Sequence, residues 1–176
     1  MKRCLAAIAA LVGCADAPDD VCDGPPDTEF GTGDATFMLL EEGDEMPIFD
    51  GPQGGSHLYG AVQACNLEEP LEVTFTVLDD TLGQYIGATE VSGRRLSPTG
   101  DCCGEIAGLR SFLSIPSPGV TDDTGYGYGG IAATLDGHAL TLTVDVTDAT
   151  GLQMGMIRHY QAKDAGFETG SSSYGR

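Results

Sequence analysis

The side chains able to bind or react are few, and the most suggestive lie in Gly-Pro-Gln-Gly-Gly-Ser-His, residues 51–57. Gln53 and His57 are hydrogen-bonding side chains, and Gly54 and Gly55 let a backbone bend or approach a ligand closely. Gln53 and His57 are therefore the candidate ligand contacts, on a turn opened by Pro52. His57, His138 and His159, with Met154 and Met156, form an imidazole and thioether set of the kind that holds copper or zinc, although their spacing does not demand a site. Asp79, Asp80, Asp122, Asp123, Asp145 and Asp148 offer hard oxygens to calcium, without the periodic series of an EF-hand. Gly-Gly-Ser-His-Leu (54–58) approaches a nucleophile elbow but has Leu58 where glycine is required. Gly-Tyr-Gly-Tyr-Gly-Gly (125–130) has dinucleotide-loop spacing, yet an acidic segment precedes it and an apolar strand pattern follows, so it reads as a loop. No catalytic residue is assigned. The chain reads as a non-enzyme with no resident cofactor, a divalent metal being the one candidate.

The elements that must position these residues are strands. Val73, Phe75 and Val77 alternate with Thr74 and Thr76, and Leu140, Leu142, Val144 and Val146 alternate with Thr141, Thr143, Asp145 and Thr147. This period of two, rich in β-branched residues, predicts half-buried antiparallel strands. Weaker candidates lie at 35–41, 46–49, 57–65, 84–91, 105–114, 129–135 and 152–162. In the strand from His57 to Cys65, Leu58, Gly60, Val62 and Ala64 share one face, and His57, Tyr59 and Gln63 share the other. Asp136-Gly137 suits a two-residue turn and predicts a hairpin between 131–135 and 138–146. No window has convincing helical spacing beyond a turn at 109–113.

The chain carries 27 acidic and 8 basic residues, a formal charge of −19. That composition excludes nucleic acid and anionic lipid as charge-driven partners. Its 41% hydrophobic content suffices for one core. The N-terminal Met-Lys-Arg head followed by the apolar run Leu5–Val12 is too short to span a bilayer and has the pattern of a secretory signal.

Leu11-Val12-Gly13-Cys14 at the end of that run resembles the lipobox of bacterial lipoproteins. The resemblance implies removal of residues 1–13, lipidation (palmitate among the acyl chains) of Cys14, and stable anchoring by more than one chain. Ala15, with no Asp beside the cysteine, resembles lipoproteins sorted to the outer membrane, facing the periplasm or the cell surface. Loss of Lys2 and Arg3 takes the charge from −19 to −21. Cys4 leaves with the signal and Cys14 is acylated, so Cys22, Cys65, Cys102 and Cys103 remain for disulfides in an oxidising compartment. A bridge between the adjacent Cys102 and Cys103 is a strained small ring, so one is expected to pair with Cys65 and the other with Cys22.

Leu140–Gln161 is similar to the closing hairpin of bacterial immunoglobulin-like modules, and Gln53, Gly54, Gly55 and His57 resemble a Gln-Gly-Gly-x-His segment of acidic, Gly-rich envelope lipoproteins. The fold expected is all-β: a single antiparallel immunoglobulin-like β-sandwich of about 7–9 strands. It occupies 34–165, after an acidic tether at 14–33 and before a polar, disordered tail at 166–176. The expected role is a structural, adhesive or partner-binding envelope lipoprotein, held to the membrane through Cys14 and meeting a protein or surface partner. A metal-binding (copper, zinc or calcium) envelope protein is the alternative.

Overall fold

The structure, a computed structural model, describes residues 24–52, 55–100, 102–115 and 131–168. The described residues form β1 (Asp27–Thr32), β2 (Met38–Leu39), β3 (Glu45–Asp50), β4 (Ser56–Cys65), β5 (Leu71–Asp79), β6 (Gln84–Arg94), β7 (Ser97–Gly100), β8 (Cys103–Leu113), the helix α1 (Ile131–Leu135), β9 (Ala139–Thr147) and β10 (Gln153–Phe167).

The two clean alternations become neighbours. Antiparallel β5 and β9 set Val73 opposite Val146, Phe75 opposite Val144 and Val77 opposite Leu142. All six side chains are fully buried, while Glu72, Thr74, Thr76, Thr143 and Asp145 face out. Each such apolar side chain stabilises the fold by about 1.5–3 kcal/mol on burial. Long β10 continues the wall and changes partner along its length. Gln153–Gln161 pairs antiparallel with β9, and Gln161–Phe167 runs parallel to β3. Strand β4 does the same on one edge, meeting β3 at residues 56–58 and β1 at residues 60–65.

The immunoglobulin-like sandwich is overturned by the other edge of β4. A sandwich keeps two sheets apart. Here one 10-stranded sheet has β4 bonded to β8 as well as to β3, and the order β3-β10-β9-β5-β6-β8-β4 returns to its start. The result is a 7-strand β-barrel, with 65% of the described residues in strands. Closure between β6 and β8 is narrow. It rests on the Gly87–Leu113 pair, the Ser114 N–H donating to the Ile86 carbonyl (2.7 Å), and the Thr89 hydroxyl donating to the Arg110 carbonyl (3.0 Å). Bulges at Gly60/Val62, Leu71/Val73 and Val77/Leu78 bend the strands enough to close the wall. The barrel is apolar inside and polar outside, the reverse of a membrane-spanning barrel.

Three local expectations change with it. Residues 131–135 form a helix rather than a strand, with Ile131, Ala132 and Leu135 packed into the core. An apolar run of five is too short for periodicity to separate helix from strand. Asp136-Gly137 then ends that helix, with Gly137 at φ 80° and the His138 N–H returning to the Leu135 carbonyl (2.8 Å). The turn expected at 109–113 is part of β8, and 27–32, inside the span read as tether, is β1. The β9–β10 hairpin forms, as part of the barrel wall.

Inside the barrel the Phe30 and Phe75 rings meet at 5.6 Å over Gly60, where an added Cβ would lie 2.9 Å from Phe30 ring carbons and 3.2 Å from Phe75. Gly60→Ala is expected to lower stability by about 1–3 kcal/mol through overpacking, read as a reduced urea midpoint at unchanged m-value. Tyr160 is 2% exposed, its hydroxyl has no hydrogen-bond partner among the described residues, and burial pushes its pKa up to about 12. Tyr160→Phe removes that stranded hydroxyl and is expected to stabilise the barrel by about 1 kcal/mol in the same titration.

Candidate functional site

Because β3, β4 and β8 are adjacent, their registers line up outward-facing residues that are far apart in sequence. Phe49 lies opposite His57, and His57 opposite Phe112, while Tyr59 lies opposite Arg110. These five side chains form two rows on the outside of the barrel. Glu168, just past β10, completes the group: its N–H donates to the Asp50 carbonyl (2.9 Å), which brings its carboxylate over the rows.

His57 is 2% exposed although it faces outward. Phe49 stacks on its ring at 6.0 Å, Tyr59 meets it edge-on at 5.0 Å, and Phe112 closes the third side at 6.1 Å. Its Nε2 lies 3.4 Å from the Glu168 carboxylate without hydrogen-bond geometry, and this buried nitrogen has no hydrogen-bond partner among the described residues. The Tyr59 hydroxyl donates to the Glu168 carboxylate and accepts from the Arg110 guanidinium, which also lies over the Tyr59 ring, 5.0 Å from its centroid. Arg110 is in turn 3.4 Å from Glu168.

Burial holds the His57 pKa below 6.5. The Arg110 charge pushes it the same way, and Glu168 and Asp50 oppose both. Burial raises the Tyr59 pKa, and its hydrogen bond to Glu168 adds to the shift while Arg110 counters it. The imidazole is thus neutral near pH 7, inside a ring of aromatics with one cation and one carboxylate at its rim. Phe112, 66% exposed, projects from this base into solvent. A rigid aromatic projection beside an Arg is the composition of a protein-contact hot spot.

Of the residues expected from sequence, His57 belongs to this cluster, and Gln53 lies outside the described residues. The 51–55 segment connects antiparallel β3 and β4, with the Gly51 N–H donating to the Gly55 carbonyl (2.7 Å). The three histidines have separate partners. The Nδ1 of His138 is 2.9 Å from Asp79, and that of His159 is 2.8 Å from the Thr141 hydroxyl. Among the described residues no group of three His, Cys, Asp or Glu is placed to hold a metal ion. Asp79 and Asp148 sit at opposite ends of the β5–β9 pair and are occupied by turns. Asp79 accepts from the N–H groups of Thr81 and Leu82, and Asp148 from Thr150 and Leu152. The Thr150 hydroxyl, foremost, holds the Asp148 carboxyl below its usual range. Asp122, Asp123 and the glycine-rich 125–130 segment lie outside the described residues.

Cys65 pairs with Cys103 across the β4–β8 ladder, with Cα atoms 4.0 Å apart. Cys102 is also disulfide-bonded. Cys14 and Cys22 lie outside the described residues.

Phe49, Tyr59, Arg110, Phe112 and Glu168 were not singled out from sequence as site residues. The alternation that sets His57 and Tyr59 on one face was readable, but the cross-strand neighbours needed the register.

No family model matches the chain, and no curated protein is significantly similar to it. A solved structure, that of the N-terminal domain of PorA, is similar at 14% identity with a TM-score of 0.30, covering 78% of this chain and 99% of that one. The barrel is defined by this chain's own strand pairings.

In an NMR titration, His57 is expected to take up its proton below pH 6.5. Arg110→Gln should raise its midpoint by removing a repelling charge, and Glu168→Gln should lower it by removing an attracting one. Because the folded His57 pKa lies below the unfolded 6.5, stability is lost as pH falls below 6.5. His57→Gln should flatten that part of the stability profile.

Proposed function

We propose that the chain is an envelope lipoprotein, anchored in the outer membrane through acylated Cys14, whose barrel is a non-catalytic module for binding a partner protein. The lipobox-like Leu11-Val12-Gly13-Cys14 after a basic head and apolar run supports the anchor. Support for a binding rather than a catalytic role comes from strand geometry. Ser56 and His57 are successive residues of β4, so their side chains point to opposite faces and do not form a nucleophile–base pair. The Ser56 hydroxyl donates to buried Asp50, and His57 is enclosed by rings.

The observation that carries the reading is Phe112. A large apolar side chain is held in solvent on a closed, rigid barrel, beside a charged Arg110 and above a dry aromatic base. Loops and faces presented by a rigid scaffold are where recognition concentrates.

Two experiments test this. Cys14→Ala should move the full chain from the membrane to the soluble fraction, and retention in the membrane would overturn the anchor. A photo-crosslinking residue at Phe112 should give a discrete adduct in intact cells that Arg110→Glu abolishes, whereas the same residue at exposed Glu90 should not. Equal labelling from both positions would overturn the binding surface.

A further inference from the structure

The way the outward cluster holds its carboxylate is informative. The Glu168 backbone is fixed, since its N–H donates to the Asp50 carbonyl (2.9 Å). The side chain then reaches over the cluster from the end of β10 and stays 29% exposed. Its Oε1 takes both engaged donors, the Tyr59 hydroxyl and, at 3.4 Å, the Arg110 guanidinium. Its Oε2 lies 3.4 Å from His57 Nε2 with no hydrogen bond formed. That nitrogen, on a side chain 3% exposed, has no other partner among the described residues. Folding has stripped it of water and given nothing back, which is rare for a buried polar atom. Tyr59, Arg110 and the Nε2–H tautomer of His57 therefore aim three donors at one carboxylate position, and Glu168 engages two.

From this mismatch we propose that Tyr59, Arg110 and His57 form a carboxylate-binding site that Glu168 fills in cis as a stand-in. An Asp or Glu side chain of the partner protein displaces Glu168 when this face is engaged. The proposal rests on the partner-binding reading of the face and names the chemistry that the partner presents.

A carboxylate arriving from outside is free of the Asp50 bond. It seats one oxygen on Tyr59 and Arg110 and the other on His57 Nε2. Hydrogen bonds to an ionised acceptor are shorter and stronger than neutral ones. The Phe49 and Phe112 rings, 6.0 and 6.1 Å from the imidazole, wall the site against water, which strengthens them further. Phe112 stands in solvent beside the site, so the partner's acidic residue is expected next to a large apolar one. The chain carries 27 acidic residues, so an incoming carboxylate is repelled by most of the surface and accepted where Arg110 projects.

The test uses the full chain in detergent micelles, labelled with 15N at histidine, and acetate as the probe. The Glu168 N–H, not its side chain, bonds Asp50, so Glu168→Ala empties the site and keeps the strand end in place. In that variant the His57 Nε2 resonance should shift saturably with acetate at constant ionic strength, and neutral acetamide should leave it unmoved. The wild type should need about tenfold more acetate, because a site filled in cis lowers apparent affinity by its free fraction. Adding Tyr59→Phe should weaken the response several-fold. Glu168→Gln, which keeps the side-chain volume, replaces the alanine variant should that unfold, and it too should respond at lower acetate than the wild type. Absence of a saturable shift in a folded variant would overturn the carboxylate site. An equal response in the wild type would overturn Glu168 as its occupant. In intact cells the photo-crosslink from Phe112 should strengthen several-fold in Glu168→Ala, and a weaker adduct there would overturn the displacement. No adduct from either chain, alongside a saturable acetate shift, would overturn the partner reading and leave the carboxylate site standing.

Discussion

Strand β4 is hydrogen-bonded along both edges, and the barrel depends on that double pairing. Its neighbours on one edge are β3 and β1, and β8 takes the other. Without the β8 ladder the same strands would form an open, curled sheet with two edges and an apolar face only partly covered. The Cys65–Cys103 bond sits at one end of this ladder, and the Ser56–Leu113 pair at the other. Closing a loop with a separation of 38 residues, the bond contributes about 3–4 kcal/mol in the chain-entropy model. It also holds together the two strands whose pairing excludes a sandwich.

The same strand explains the division between inside and outside. Leu58, Gly60, Val62 and Ala64 line the interior, where the Phe30 and Phe75 rings fill the space that glycine leaves. His57 and Tyr59, one residue out of phase, point away from the core and should be wet. They are buried by Phe49 and Phe112 from the flanking strands and by Glu168 from the end of β10. Several titratable groups are consequently concentrated in a small, partly dry volume on an otherwise acidic, solvated exterior. Burial foremost, and then the charges of Arg110, Glu168 and Asp50, set the protonation of His57.

The acidic residues divide in a similar way. Asp79 and Asp148, which read in sequence as oxygen ligands, are occupied by the N–H groups of their own turns. They act as local caps on strand ends. An aspartate at a strand-to-turn junction has N–H groups two to four residues ahead within reach, and these compete with any ion for its oxygens. His138 facing Asp79 and His159 facing Thr141 are partnered by the strand ends around them.

Much of the wall was legible in the sequence. The alternations in β5 and β9 specify strands and their buried faces wherever they pack, because period two reports only that one side is apolar. The face shared by His57 and Tyr59 was readable for the same reason. The identity of the opposite wall was not: a strand buries the same residues against a second sheet or against the far side of its own barrel. Nor could composition separate strand from helix for Ile131–Leu135, where tertiary packing into the core decided. The union of Phe49, His57, Arg110, Phe112 and Glu168 depends on registers among β3, β4, β8 and β10. Register is a property of strand pairs, so local sequence determined which residues face out, and only the closed sheet decided which of them meet.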